Sequence, residues 1–482
     1  MGVSLGGGAG RSPFTFERLQ TILLFTVIAA AACLMPAQND TWWHLREGER
    51  LWHGGAALTD EFSYTMYGGY WPNHEWLSDV VFYLLFRTGG MPLVTAALAA
   101  LVTAAWWCSW SLMTGMTGMT GGASRRAIIV GLGVITSSIQ WAVRPQIFTL
   151  FFVALTVVLI ARRAYRPLPI AFLLWANLHA GVLIGCGLLV VAAVQIVAFE
   201  PRRERRAALP WLASSILVTA LTPLGTALWT DMFEAARRNR LMGVAEFQPP
   251  RVDNPALLPF WLMAAALLVL VVRARPTSAK SPARQFIVLA ALALIPVALM
   301  ASRNAPIMLL VAAPAIDRLL GRTGDASAAT GARRDRPRLN AGIAAAAAIA
   351  AAIVVASAWK SAWPRLAWTP MPAGAAEAIE ACPSNVYNRF DEGGYLIWFA
   401  RKQKVFIDSR VDPYPTELLR QHIEVERSGD YARLFRRFAI RCAVVPERSP
   451  VAEALRRDGW QSKYDRQGWL ILEATRSTQH RF

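Results

Sequence analysis

Eleven apolar runs divide the first three quarters of this chain, near residues 19–36, 92–113, 127–143, 146–161, 168–178, 180–199, 209–222, 256–272, 286–301, 306–320 and 342–359. A helix needs roughly 17 to 25 apolar residues to cross a bilayer, so such a series folds as a polytopic α-helical bundle with about eleven transmembrane segments. Several runs are short, and 168–178 reads as a half-helix or re-entrant piece whose backbone ends need cover from other protein. With 55% hydrophobic and 17% charged residues among 482, the apolar excess is beyond what one soluble core needs. No small-residue cleavage site of the Ala-x-Ala kind follows the first run, which therefore reads as a retained helix.

The net charge of +18 reports topology rather than nucleic-acid binding, because the basic residues sit in short clusters between apolar runs. Arg125-Arg126, Arg162-Arg163-Arg166, Arg202-Arg203-Arg205-Arg206, the stretch 273–284 and the stretch 322–338 fall on one side if each run crosses once. The positive-inside rule makes that side the cytoplasm. The N-terminus is then cytoplasmic and everything after about Trp363 lies outside. This divides the chain into a membrane domain, 1–362, whose first outer loop spans 37–91, and an extracytoplasmic domain, 363–482.

The same parity sends the unusual polar residues to the outer boundary: Asp40, His44, Asp60, Glu61, His74, Glu75 and Asp79 in the first loop, then Arg144, Asn177, His179, the stretch 237–246, and Arg303-Asn304. Charges kept beside hydrocarbon are costly and ask for a chemical reason. Arg237, Arg238 and Arg240 form a basic cluster on the outside, read either as a loop that meets anions or as a helix with a solvated basic face.

The last 120 residues have the composition of a small soluble α/β domain. Residues 404–408, 440–445 and 469–472 read as strands, and 416–426 and 450–457 as helices. Asp408, Arg410 and Asp412 read foremost as a strand-end turn with solvated charges. Gly393-Gly394 is too little for a phosphate loop, and no Walker or dinucleotide pattern occurs. Cys33, Cys108 and Cys186 stand singly in apolar runs, no pair has zinc spacing, and Cys382 and Cys442 share the outside domain, where a disulfide between them is one of two open outcomes.

Asp40-Thr41-Trp42-Trp43-His44 at the exit of the first run, Asn73-His74-Glu75-Trp76-Leu77-Ser78, Arg144-Pro145-Gln146, Trp175-Ala176-Asn177-Leu178-His179, Ser302-Arg303-Asn304-Ala305-Pro306 and the outer stretch Tyr387-Asn388-Arg389-Phe390-Asp391-Glu392-Gly393-Gly394-Tyr395 together carry a resemblance. The chain resembles the GT-C superfamily of membrane glycosyltransferases, and more closely an uncharacterised bacterial branch related to protein O-mannosyltransferases and the lipid A aminoarabinose transferase. The resemblance implies transfer of a sugar from a polyprenyl-phosphate donor to a glycan, lipid or protein acceptor at the outer face of a bacterial inner membrane. A carboxylate would then remove the acceptor proton while cations hold the leaving phosphate.

On that reading Asp40 is the catalytic base, unless it merely caps the helix that follows. Glu75, the second acid, either orients an acceptor or, with His74, holds a divalent metal; His74-Glu75 could equally begin a helix lying on the membrane. No cofactor is fixed beyond that open metal. Arg144 and Arg303 suit phosphate as guanidinium forks, or else snorkel to head groups. His44, Asn177, His179 and Asn304 complete the candidate substrate-binding set. Trp42, Trp43, Trp71 and Trp76 offer flat faces to sugar rings, although Trp gathers at membrane interfaces whatever the function. The rival classes are a transporter or flippase of a lipid-linked precursor and a non-catalytic envelope scaffold.

Overall fold

In the computed structural model, which describes residues 14–114, 122–274, 282–321 and 336–475, the chain is mostly helical with a small four-stranded sheet near its C-terminus. Much of the basic stretches at 273–284 and 322–338 lies outside the described residues. Helices α1 (Phe16–Cys33), α3 (Trp76–Thr114), α4 (Ala123–Ser138), α5 (Gln146–Ala161), α6 (Leu168–Leu178), α7 (Val182–Phe199), α8 (Arg202–Leu217), α10 (Leu258–Arg273), α11 (Pro282–Met300), α12 (Ala305–Leu320) and α13 (Pro337–Lys360) cover the eleven apolar runs. Five helical segments are long and apolar enough to cross a membrane: α1, α3, α7, Pro255–Arg273 and α13. The apolar segments Gln146–Ala161, Leu168–Leu178 and Gln285–Met300 are shorter, so a count of eleven crossings does not follow from helix length.

Helix α12 is buried from Ala305 to Arg318 and forms the axis of the bundle. At the periphery α13 packs on α1 and leaves most of its apolar surface bare, with Leu339, Ile343, Ile349, Ile353 and Val354 exposed. A continuous exposed apolar band is what lipid, not water, would cover.

Two helices arise within the loop 37–91. Helix α2 (Asn39–Trp52) buries Trp42, Trp43, His44, Leu45 and Glu47. The first half of α3 begins at Trp76 and is broken at Gly89 and Gly90 before the second half runs on from Met91 and Pro92. Gly90 has φ +63° and ψ −164°, backbone that only glycine adopts freely, so the pair sets the corner between loop helix and apolar span.

The C-terminal domain holds β1 (Asn385–Asn388), β2 (Ile440–Val445), β3 (Gln461–Arg466) and β4 (Trp469–Glu473) in the order β1-β2-β4-β3. Strands β1 and β2 are parallel and the other pairs antiparallel. Helices α14 (Ala375–Glu380), α15 (Gly393–Phe399), α16 (Thr416–Ser428), α17 (Ala432–Arg437) and α18 (Pro450–Arg457) pack around the sheet. A disulfide joins Cys382 to Cys442 of β2.

Residues 404–408 correct the sequence expectation, because they are no strand of this sheet. The Asn388 amide donates to the Ile407 carbonyl (2.7 Å) and accepts from the Phe406 N–H (2.8 Å), doing from a side chain what a strand neighbour would do. Val405 bridges instead to the loop between α2 and α3, its N–H donating to the Phe62 carbonyl (3.0 Å) and its carbonyl accepting the Tyr64 N–H (3.1 Å). The segment is thus a strap between domains. Docking is tightened where α15 meets α2: Trp42 lies against Phe399 (4.7 Å between ring centroids), and the Asn39 amide donates to the Phe390 carbonyl (3.2 Å).

Candidate active site

The first turn of α2 is tied down before its carboxylate is presented. The Thr41 hydroxyl donates to the Val143 carbonyl (2.7 Å), and the Val143 N–H donates to the Pro36 carbonyl (2.9 Å), so the α1 exit and the α4–α5 connection move as one unit. Asp40 does not cap the helix, since the cap position is Gln38. Its Oδ2 stands 3.0 Å from Arg144 Nε, and its Oδ1 accepts the Ser409 hydroxyl from the C-terminal domain.

Arg144 precedes α5 and turns its fork to Glu246, with Nη2–Oε1 at 2.8 Å and Nη1–Oε2 at 3.1 Å. Glu246 lies in the loop between α9 (Ala227–Leu241) and α10. Arg303, in the turn before α12, comes within 3.4 Å of the same carboxylate and stacks over Phe247 at 4.4 Å. Burial pushes the Glu246 carboxyl up, but the guanidiniums of Arg144 and Arg303 outweigh it and hold the group down at about 2. The Asn304 amide donates to the Val297 carbonyl (3.0 Å), closing the α11–α12 corner beneath Arg303.

Glu75 sits among three histidines. Its carboxylate lies 3.3 Å from His179 Nε2, 3.6 Å from His44 Nε2 and 3.8 Å from His74 Nε2. Its backbone is fixed by the Asn73 side chain, which accepts the Glu75 N–H (2.9 Å) while donating to Asp79 Oδ2 (2.8 Å). The tautomer of His179 follows from its partners. Nδ1 faces the Thr149 hydroxyl (2.7 Å), itself receiving the Trp175 N–H (2.9 Å), and accepts the Gly181 N–H (2.9 Å), so the ring proton resides on Nε2 and points at Glu75. Gly181 is needed there, since a Cβ would fall 2.1 Å from Thr149 Oγ1.

Burial pushes the Glu75 carboxyl up to about 7, the facing His44, Arg303 and Arg144 only partly offsetting it. Burial also lowers His44 to about 4, although the Glu75 and Asp40 charges pull the other way. Asp412 enters from the C-terminal domain with Oδ2 3.6 Å from His74 Nδ1, and burial raises it to about 6.

These groups line one cavity of about 1230 Å³. Its floor is made by Asp40, His44, Glu75, Arg144, His179 and Arg303, and its roof by Phe390, Asp391, Tyr395, Ser409 and Asp412. Toward the bundle surface the lining turns apolar through Ile139, Phe233 and Met300, which are 48%, 74% and 59% exposed.

Of the sequence candidates, Asp40, His44, His74, Glu75, Arg144, His179, Arg303 and Asn304 line this cavity. Asn177 does not. Its amide is spent on the Leu173 and Leu221 carbonyls (2.9 and 3.0 Å) and its oxygen accepts the Trp76 N–H (2.9 Å), which locks α6 to α3. Trp43 and Trp71 reach the cavity, whereas Trp42 and Trp76 serve packing. Arg238 donates to the Asp412 carbonyl (2.8 Å) and Arg240 to the Met300 carbonyl (3.1 Å), so both serve as loop ties.

Asp408 and Arg410 are not solvated, correcting that expectation. Arg410 is buried between Asp408 (2.6 Å) and Asp60 (2.7 Å) with Trp71 beneath it at 4.5 Å, bolting the C-terminal domain to the loop between α2 and α3. Sequence reasoning missed Ser409 as an Asp40 partner and Glu246 as the counter-ion of both arginines. Neither stands in a motif, and only the fold brings them near.

Among the described residues no three His, Cys, Asp or Glu side chains are gathered to hold a metal ion. Asp40 is turned to Arg144 and Ser409, and the three His Nε2 atoms already converge on Glu75 itself.

No protein-family description matches the chain, and no curated protein does. Among solved structures, the chain is similar to the oligosaccharyltransferase of Archaeoglobus fulgidus in its apo form, at 14% identity and a TM-score of 0.51, covering 94% of this chain and 74% of that one. The likeness shows a shared fold over most of this chain.

Proposed function

We infer that the chain is a membrane glycosyltransferase that moves a sugar from a polyprenyl-phosphate donor to an acceptor at the outer face of the bilayer. The observation that carries this reading is that Glu75, Arg144 and Arg303 line the polar end of one cavity whose other end is apolar. The structural neighbour named for oligosaccharyl transfer favours the same class of chemistry. The outer-face assignment is supported by the disulfide, which persists in oxidising compartments, and by the clustering of Arg162, Arg163, Arg202 and Arg203 at the opposite helix ends.

The acceptor hydroxyl or amide attacks the anomeric carbon while the bond from that carbon to the phosphate oxygen breaks and its electron pair stays on the phosphate. Arg144 and Arg303 hold the growing charge. The acceptor proton goes to a carboxylate, and the geometry favours Glu75 over Asp40 for that task. Asp40 is committed to Arg144 and Ser409, whereas Glu75 has no guanidinium on it and titrates near neutrality, where a base transfers protons best. Asp40 then orients Arg144.

Native mass spectrometry of the full chain released from membranes tests the reading. A polyprenyl-phosphate sugar should remain bound and should be lost when Arg144 and Arg303 are both replaced by Met. Retention of only bulk phospholipid by the unaltered chain sinks it.

A further inference from the structure

Asp40 is held from two sides at once. One of its oxygens takes Arg144 Nε and the other takes the Ser409 hydroxyl, so the C-terminal domain reaches the floor of the cavity through a single side chain. The Arg144 guanidinium is planar, fixed along its Nε edge by Asp40 and at Nη1 by the Gln38 side-chain oxygen (2.9 Å). Its fork is left one direction to face, and Glu246 lies there. An Asp40 free to turn would free the fork as well.

Ser409 stands on a segment held far more firmly than a surface loop needs. The Asp408 carboxylate accepts the Arg410 N–H (3.0 Å), Nε (2.7 Å) and Nη2 (2.6 Å) together with the Tyr414 hydroxyl (2.5 Å). All three residues are buried. Helix α15 packs on the segment without a gap, since a Cβ on Gly393 would fall 2.3 Å from the Ile407 carbonyl oxygen and 2.5 Å from Asp408 Cβ.

The backbone just beyond Ser409 is strained. Val411 is buried with φ +60°, left-handed backbone that a β-branched residue avoids. Strain of this kind persists only where the surroundings impose it, and it gathers at functional sites. Docking alone does not call for it, because the Arg410 bridge to Asp60 already joins the domains.

We propose that the segment from Asp408 to Asp412 is a rigid post through which the C-terminal domain sets the phosphate-holding fork, with Ser409 positioning Arg144 by way of Asp40. The inference rests on the transferase reading, which gives Arg144 its phosphate, and adds the residue that couples domain docking to that task. The Ser409 hydroxyl fixes the plane of the Asp40 carboxylate. The rotamer freedom of Asp40 and Arg144 is then lost on folding and not again on donor binding, which is how preorganisation raises affinity.

The full chain in nanodiscs, carrying isotope-labelled arginine, tests the positioning without any donor. The Arg144 Nε–H resonance is the one that Arg144→Lys removes. Its hydrogen exchange with water should quicken by about three- to tenfold in Ser409→Ala and by more in Asp40→Asn. The double variant should exchange no faster than Asp40→Asn alone, because Ser409 acts only through that carboxylate.

A second measurement titrates a synthetic polyprenyl phosphate. Its affinity should fall by about three- to tenfold in Ser409→Ala, be kept in Ser409→Thr, whose hydroxyl can serve the same carboxylate, and fall no further when Ser409→Ala is added to Asp40→Asn. Loosening of the whole domain would also weaken binding, so each variant is put through limited proteolysis between residues 361 and 375. Ser409→Ala should be cut at the unaltered rate, since the Arg410 cluster is intact. An Arg144 resonance unmoved in Ser409→Ala, additive losses in the double variant, or faster cutting of Ser409→Ala overturns the post. Failure of the unaltered chain to bind the lipid sinks the transferase reading instead, and with it the phosphate task given to the fork, so the two failures are separate results.

Discussion

Arg144 and Glu246 meet through two nitrogens and two oxygens, and that single pairing occupies the fork a leaving phosphate would need. The cavity at rest therefore carries its own internal anion, borne on the α9–α10 loop and held there by Ser302, whose N–H donates to the Gln248 carbonyl at 2.9 Å.

Replacing Glu246 by Gln removes the competing charge while keeping the side chain's shape. Binding of polyprenyl phosphate should tighten by on the order of tenfold, about 1.4 kcal/mol. Titration of the lipid against intrinsic Trp fluorescence reads this directly. Weaker binding would mean that Glu246 orients the arginines for phosphate instead of competing with it.

The raised proton affinity of Glu75 has consequences for both rate and stability. As a base it must be ionised, so turnover should climb with pH through about 7 and then level. Stability runs the other way. The folded carboxyl binds its proton more tightly than an unfolded one, so its contribution is full below about pH 4.5 and is lost as pH rises through about 7. Above about pH 8 Glu75→Gln should be more stable than the unaltered chain by on the order of 3 kcal/mol, with little difference near pH 5. Thermal unfolding of both chains at the two pH values checks the sign.

Arg410→Met leaves Asp60 and Asp408 facing one another without their shared cation. Breaking one side of a buried ion cluster costs about 3 to 5 kcal/mol, and Arg410→Lys should recover little of it because a single ammonium cannot reproduce the fork. Limited proteolysis between residues 361 and 375 should accelerate in both variants. Full rescue by Lys would show that charge alone, not geometry, seats the outer domain.

Gly394→Ala tests the contact between α15 and α2. A Cβ there would lie 2.2 Å from the Asn39 carbonyl oxygen, a backbone atom that cannot swing aside, so the domains must part. We expect a loss of about 1 to 3 kcal/mol. Gly131→Ala, in the middle of α4 with nothing within 4 Å, should gain about 0.5 to 1 kcal/mol. Equal melting temperatures for the two variants would remove this account of the glycine pair.

What the sequence made legible was what repeats. Apolar runs announce helices because burial in lipid acts on every residue of a span, and α5 to α7 keep the boundaries that hydropathy suggests. The candidate site was readable wherever a charged residue sat at the end of such a run, as Asp40, Arg144 and Arg303 do. It was unreadable where partners come from far along the chain: Ser409 is 369 residues from Asp40, and Glu246 is 102 from Arg144. Lys404 to Asp408 deceived for a related reason. Alternation marks a half-buried extended segment, but says nothing of whether its hydrogen bonds go to a strand or to an Asn side chain.

A chamber floored by helix ends and covered by a separate lobe has a built-in fuse. Should Ser409 and Asp412 lift away, water floods onto Glu75 and His44, and their proton affinities drift back to those of free side chains. The chain would then lose its tuned acid and base while every helix still stood, so the pH at which Glu75 titrates doubles as a gauge of whether the two lobes are closed.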